Sequence, residues 1–103
     1  MQVVTLASMI EKETGAGEER PIISSVFHNR LNKKMRLQSD PTTIYGIWER
    51  YTGNLHRSDL LNPTDYNTYT VPALPKGPIS NPHTESIRAA LRSEEHTSEL
   101  QSR

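Results

Sequence analysis

The apolar residues at the start of the chain recur at the spacing of an α-helix. They are Val3, Leu6, Ala7 and Ile10. Because residues three and four positions apart share one face of a helix, this pattern predicts a first amphipathic helix over about residues 2–14, ended by Gly15. A second pattern of the same period follows Pro21, a residue that suits a first helical position, and predicts another amphipathic helix that reaches about Lys34.

Proline and glycine change the pattern in the middle of the chain. Asp40 followed by Pro41 predicts a cap and a first turn for a short helix that reaches about Arg50. From residue 52 to 83 prolines and glycines are too dense for long helices, while scattered apolar residues favour an ordered loop with short helical turns. A last helix is predicted to begin near Thr84. The expected fold class is therefore mainly α, a small helical core with a long ordered loop region rich in proline and glycine.

The final segment, RSEEHTSELQSR, differs in composition from the rest of the chain. It is polar and lacks apolar periodicity beyond Leu100. Through Ser102 it matches the in-frame translation of a widely used sequencing-library adapter. We therefore expect residues 1–92 to be the native part, a partial domain truncated at both ends, and residues 93–103 to be a non-native tail.

The composition of the chain argues against several classes of function. The chain has 103 residues, enough for one small domain, and its 12 basic and 12 acidic residues cancel, so no charge excess indicates a nucleic-acid partner. There is no cysteine, and the 4 histidines show no paired ligand spacing, so no metal site is predicted. No apolar run reaches the roughly 18 residues that a membrane-spanning helix needs.

Two acids, Glu11 and Glu13, lie at the margins of the apolar face of the first helix. At about 100° per residue, Glu11 falls beside Ala7 on one flank and Glu13 beside Leu6 on the other. Apolar neighbours disfavour the charged form of a carboxyl, so the pKa of such a group is expected to rise, as a general acid requires. Geometry alone does not choose between the two acids. The alternative is that both are solvated edge residues near a helix end, because structural reasons for acids at such positions are common.

Other polar residues in loops could bind a polar ligand. Gln38 and Asn67 carry amides that donate and accept hydrogen bonds, which suits hydroxyl and acetamido groups. Tyr69 offers a ring against which a sugar can pack, and a hydroxyl. The alternatives are that Asn67 shapes a turn and that the tyrosine belongs to the core or its rim. Asp40 is interpreted as a helix cap rather than a catalytic base.

Several motifs together resemble one family. LASMIEKETG, VFHNRL, MRLQSDPTTIYG, YNTYTVPALPKGPISNP and SIRAAL occur in the order and spacing of the endolytic murein transglycosylases, the MltG or YceG-like family. The resemblance implies a bacterial lytic transglycosylase without a cofactor. Such an enzyme cuts the β-1,4 bond between N-acetylmuramic acid and N-acetylglucosamine in peptidoglycan and leaves 1,6-anhydromuramoyl ends. It also implies that Glu11 is the catalytic residue and that Gln38, Asn67 and Tyr69 line the substrate cleft.

The resemblance carries further expectations about the whole protein. It implies peptidoglycan glycan strands as substrate, peptidoglycan synthases as partners, and an inner-membrane protein with its catalytic domain outside the cytoplasm. The complete family domain is α+β, and family members continue past SIRAAL into a strand-forming segment. Lys76 stands where a second proline is common, and His83 where glycine is common. The alternative hypothesis, from another functional class, is a non-catalytic peptidoglycan-binding or scaffold module.

Overall fold

A computed structural model describes residues 2–15 and 19–91 of the chain. Within these residues the regular structure is helical and contains no strand, which confirms the predicted mainly α class. The predicted tail, residues 93–103, lies outside the described residues. We number the helices α1 (Gln2–Glu13), α2 (Arg20–Asn32), α3 (Asp40–Gly46), α4 (Arg57–Leu60) and α5 (84–91), with a 3₁₀ turn at Trp48–Arg50.

Helix α1 lies at the centre of the fold. Most of its apolar face is buried: Ala7, Met9 and Ile10 have no exposed surface, whereas Val3, predicted on the same face, is 38% exposed. This face packs with residues from α2, α5 and the loops in one hydrophobic core, whose members outside α1 are Phe27, Leu37, Ile79 and Ala90. Because apolar burial stabilises a fold by roughly 25 cal/mol per Å², this cluster is what holds α1 in place and fixes where its two acids emerge.

Helix α2 is joined to α5 by polar contacts at its buried side. The Ser24 hydroxyl donates to the Ala89 carbonyl at 2.9 Å, and His28 Nε2 donates to the Ala90 carbonyl at the same distance. These bonds satisfy carbonyl groups at the C-terminal side of α5 that would otherwise lack a partner within the helix. Helices α2 and α5 are therefore joined directly to each other.

Helix α3 begins where the sequence indicated, but with a different cap. The N-cap residue is Ser39, and Asp40 is the first helical residue, so the predicted capping role of Asp40 is wrong. The Asp40 carboxylate instead accepts a hydrogen bond from the Tyr69 hydroxyl. The helix ends at Gly46, and the 3₁₀ turn continues to Arg50, where the predicted helix was expected to end.

The long loop after α4 is ordered around one buried side chain. Asn67 has no exposed surface and bonds to Thr43 of α3 and to the carbonyls of Leu60 and Asn62. This supports the expected ordered loop. No helix in the described part of the chain is long and apolar enough to cross a membrane.

Candidate active site

The two acids of α1 leave the helix on opposite flanks and meet different partners. Glu11 faces the start of α5. Its Oε1 accepts hydrogen bonds from the backbone N–H of His83 at 3.0 Å and from the Ser86 hydroxyl at 2.8 Å. Its Oε2 lies 3.0 Å from Nδ1 of His83 and 3.9 Å from the Arg20 guanidinium. Glu11 therefore ties α1 to the beginnings of both α2 and α5.

These donors determine the charge state of Glu11. The hydrogen bond from the His83 backbone, followed by that from the Ser86 hydroxyl, lowers the pKa of Glu11 to about 2. Burial acts in the opposite direction, as expected from the sequence, but the hydrogen bonds to the charged form outweigh it. The predicted rise in the pKa of Glu11 is therefore wrong, and the group is a carboxylate at neutral pH. Its assignment as the catalytic residue stays a prediction.

Glu13 faces the start of α3 on the other flank. Its Oε1 accepts a hydrogen bond of 2.8 Å from the Ser39 hydroxyl, and the side chain is otherwise exposed. Tyr69 lies within reach of the same charge and donates its hydroxyl to Oδ1 of Asp40 at 2.6 Å. We call Glu13, Ser39, Asp40 and Tyr69 the Glu13 cluster.

The Glu13 cluster alters the phenol that it contains. The hydrogen bond to the Asp40 carboxylate, together with burial and the charge of Glu13, raises the pKa of Tyr69 to about 12. Ionisation would place a third negative charge beside two carboxylates, which is why the proton is retained. Tyr69 is therefore a neutral hydrogen-bonding group throughout the range in which most enzymes operate.

Gln38 borders the Glu13 cluster in a constrained backbone conformation. It immediately precedes Ser39, its side chain is exposed, and its φ angle is +54°. A positive φ is uncommon for a residue with a Cβ and is often found at functional sites. Gln38 also borders a surface groove of about 360 Å³. The structure thus brings Gln38 and Tyr69 to the same side of the fold, that of Glu13 and not of Glu11.

Asn67 occupies a different position from the one that the sequence suggested. Its Oδ1 accepts from the Thr43 hydroxyl and from the backbone N–H of Tyr69, both at 2.9 Å. Its Nδ2 donates to the carbonyls of Leu60 at 3.0 Å and Asn62 at 2.7 Å. The amide is thus engaged by the protein and fully buried, so in this conformation it supports the loop that carries Tyr69 and offers no atom to a ligand.

An apolar groove of about 440 Å³ lies beside the Glu13 cluster. Tyr45, Trp48 and Tyr51 line it, and the rings of Trp48 and Tyr51 stack with centroids 6.5 Å apart. Lys12 and Pro41, which neighbour Glu13 and Asp40 in the chain, form its near edge. Among the described residues there is no group of histidine or acidic side chains that could hold a metal ion.

Sequence reasoning missed the partners that distinguish the two acids. Ser39 stands beside Gln38 in the MRLQSDP stretch, so its proximity to a predicted cleft residue was a usable signal. Arg20 and Ser86 gave no such signal, because their contacts with Glu11 join distant parts of the chain.

Comparison with known proteins identifies the class to which this arrangement belongs. A crystal structure of a yceG-like protein from Listeria monocytogenes superposes with a TM-score of 0.80 at 46% identity, covering 87% of this chain and 29% of that one. The model of the YceG-like family matches residues 1–100. The chain therefore belongs to the YceG-like family.

The chain is also similar to two proteins named endolytic murein transglycosylase. An endolytic murein transglycosylase from Bacillus subtilis (strain 168) is 43% identical over 90 residues, covering 87% of this chain and 25% of that protein. One from Streptococcus pneumoniae serotype 2 is 32% identical over 94 residues, covering 87% of this chain and 17% of that protein. The chain thus spans a quarter or less of the length of these relatives.

Proposed function

We propose that this domain contributes the catalytic site of a lytic transglycosylase that cleaves peptidoglycan. The enzyme would cleave the β-1,4 linkage between N-acetylmuramic acid and N-acetylglucosamine, and the product would carry a 1,6-anhydromuramoyl end. The observation that carries the proposal is an exposed carboxylate, Glu13, set among polar residues in a chain 43% identical to an endolytic murein transglycosylase. In the whole protein we expect this domain to lie outside the cytoplasm, anchored to the inner membrane, with peptidoglycan synthases as partners.

The reaction needs only one carboxyl group. In its acid form the group protonates the glycosidic oxygen as the bond to C1 of the muramoyl residue breaks. As a carboxylate it then accepts the proton of the C6 hydroxyl while that oxygen attacks C1. Water does not enter the product, so the second carboxylate of an ordinary glycosidase is not required.

The choice between Glu11 and Glu13 follows from what each side chain contacts. The donors around Glu11 stabilise its carboxylate form and lower its pKa to about 2, so they oppose the protonation that a general acid needs. Its oxygens are also engaged by His83 and Ser86. Glu13 is exposed and accepts a hydrogen bond from Ser39 in the described part of the chain. The geometry therefore favours Glu13, whereas the resemblance implies Glu11.

The remaining predicted site residues take distinct roles in this proposal. Gln38 and Tyr69 lie on the side of Glu13 and would contact the glycan. Asn67 would act through Tyr69, whose backbone N–H it accepts. The aromatic groove beside the cluster extends the same surface, as expected of a site for a long polymer.

Product analysis tests the proposed reaction. Purified peptidoglycan is incubated with the chain, and the released fragments are analysed by mass spectrometry. Fragments with anhydromuramoyl ends, lighter by one water than the corresponding hydrolysis products, are expected. Fragments with ordinary reducing ends would contradict the mechanism, and sedimentation with peptidoglycan without any cleavage would support the binding-module alternative.

A further inference from the structure

We propose that Asp40 is a positioning residue that holds the Tyr69 phenol with its oxygen presented to the glycan only as a hydrogen-bond acceptor. The inference deepens the proposed function and rests on it. It begins from the 2.6 Å hydrogen bond that the Tyr69 hydroxyl donates to Oδ1 of Asp40. A phenol has a single proton to donate, so this bond leaves only lone pairs for any other group.

The two side chains are held in register by buried neighbours. Ser39, next to Asp40, donates its backbone N–H to Oγ1 of Thr68 at 2.8 Å. Thr68 is next to Tyr69, has no exposed surface, and also shares a hydrogen bond of 2.8 Å with the Thr42 hydroxyl. The start of α3 and the loop of Tyr69 are thus joined beneath the surface, which fixes the distance between the exposed Asp40 and the half-buried Tyr69.

Asn67 also restrains this loop. Its Oδ1 accepts the backbone N–H of Tyr69 at 2.9 Å, and it is fully buried. Two independent buried side chains, Thr68 and Asn67, therefore restrain the backbone on which Tyr69 is mounted. The Asp40 carboxylate adds the remaining restraint, the direction of the phenolic O–H.

The charges around the phenol make Asp40 the dominant partner. The Asp40 hydrogen bond is the largest influence that raises the pKa of Tyr69, with Glu13 acting in the same direction and Arg30 in the opposite one. Arg30 is itself engaged, since its guanidinium donates to the Leu37 carbonyl at 2.6 Å. The phenol therefore stays protonated and donates to the strongest acceptor beside it.

An acceptor-only phenol selects for donor groups on the ligand. The donors of a peptidoglycan glycan are its acetamido N–H groups and its hydroxyls, so Tyr69 would receive one of these. Recognition should weaken if the substrate lacks this donor, and also if the phenol can turn its own proton toward the cleft. In each case one hydrogen bond is lost, which should lower kcat/KM by about a factor of five.

The orientation is tested by titrating Tyr69 through the ¹³C resonances of its labelled ring in the whole chain. In Asp40→Asn the side chain keeps its shape and loses its charge, so the pKa of Tyr69 should fall from about 12 toward 10. Asp65→Asn is the matched control, because Asp65 is exposed and pairs with Lys76. An unchanged pKa in Asp40→Asn, with the fold intact by circular dichroism, would overturn the proposal.

A double-mutant cycle tests the role in substrate recognition. Asp40→Ala and Tyr69→Phe should each lower kcat/KM for glycan cleavage by about fivefold, and the double variant should lose no more than Tyr69→Phe alone. Losses that multiply would show independent roles and overturn the proposal. If the wild-type chain cleaves no glycan, the proposed function fails and the acceptor role fails with it, while the titration still decides whether Asp40 orients the phenol.

Discussion

Glu11 and Ser86 lie 75 positions apart in the chain and are joined by a hydrogen bond of 2.8 Å. Ser86 in turn accepts a hydrogen bond of 3.0 Å from Nε of Arg20. The carboxylate thus sits at a junction where α1, α2 and α5 meet. We interpret Glu11 as a stabilising tie between these helices, and we propose that the chemistry takes place on the opposite flank of α1, that of Glu13.

The first prediction concerns the dependence of stability on acid. The folded-state pKa of Glu11, about 2, lies below its ordinary value of 4.5, so its contribution is fully present above about pH 4.5 and is lost as the pH falls toward 2. Glu11→Gln should therefore lower the free energy of unfolding at pH 7 by about 1–3 kcal/mol. Between roughly pH 5 and pH 3, the free energy of unfolding of Glu11→Gln should fall by less than that of the wild type, because the variant lacks the carboxylate that becomes protonated as the pH falls. Urea unfolding at these pH values measures both effects.

The unfolding experiment has a control variant, and a second acid also contributes to the pH dependence. Glu85→Gln is the control, because Glu85 is exposed and pairs only weakly, at 3.4 Å, with Arg88. Asp59 also has a lowered pKa, caused first by the backbone N–H of His56, so part of the acid sensitivity should survive in Glu11→Gln. Equal stability of Glu11→Gln and the wild type at pH 7 would contradict the proposed tie.

The second prediction separates the two predicted cleft amides. Asn67→Ala leaves buried partners unsatisfied, among them the Thr43 hydroxyl and the backbone N–H of Tyr69, and should cost at least about 1–3 kcal/mol of folding stability. Gln38→Ala removes an exposed side chain and should change stability by less than about 0.5 kcal/mol. Thermal unfolding of both variants measures this difference. Equal effects would show that Asn67 is not the centre of the loop.

The third prediction uses two glycines that differ in their surroundings. A Cβ added at Gly46 would overlap the hydroxyl of Thr64, which accepts the backbone N–H groups of Tyr66 and Asn67. Gly46→Ala should therefore destabilise the fold by about 1–3 kcal/mol through overpacking. A Cβ at Gly77 would meet nothing within 4 Å, so Gly77→Ala is the control. A wild-type melting temperature for Gly46→Ala would contradict the described packing of α3 on this loop.

The helices could be predicted because their signals are local. The apolar period of α1 and the proline at the start of α2 each act within a few residues, and both helices appear where these signals stand. The N-cap of α3 lies one residue earlier than predicted, at Ser39, and the Asp40 carboxylate bonds instead to Tyr69, which is distant in sequence. A pattern within a few residues of Asp40 gives no information about a partner that distant.

The pKa of Glu11 and the burial of Asn67 depend on contacts between residues that are far apart in the sequence. Apolar neighbours on α1 correctly indicated that burial would raise the pKa of Glu11, but the donors that reverse the shift come from His83 and Ser86 at the other end of the chain. The burial of Asn67 was hidden for the same reason, since a polar residue in a loop is exposed more often than not. That Gln38 and Tyr69 contact a substrate stays a prediction, since the structure shows only that Tyr69 bonds to Asp40 and that Gln38 precedes Ser39 in the chain.

The measurement that tests the account most directly is the rate of peptidoglycan cleavage by Glu13→Gln and Glu11→Gln, each corrected for its folded fraction. Glutamine keeps the shape of the side chain and removes the proton that can be transferred. We expect Glu13→Gln to lose at least about a hundredfold in rate with an unchanged melting temperature. Glu11→Gln should retain most of its rate per folded molecule, as should the control Glu85→Gln. Full activity in Glu13→Gln, with the activity of folded Glu11→Gln abolished, would contradict the account and return the catalytic role to Glu11.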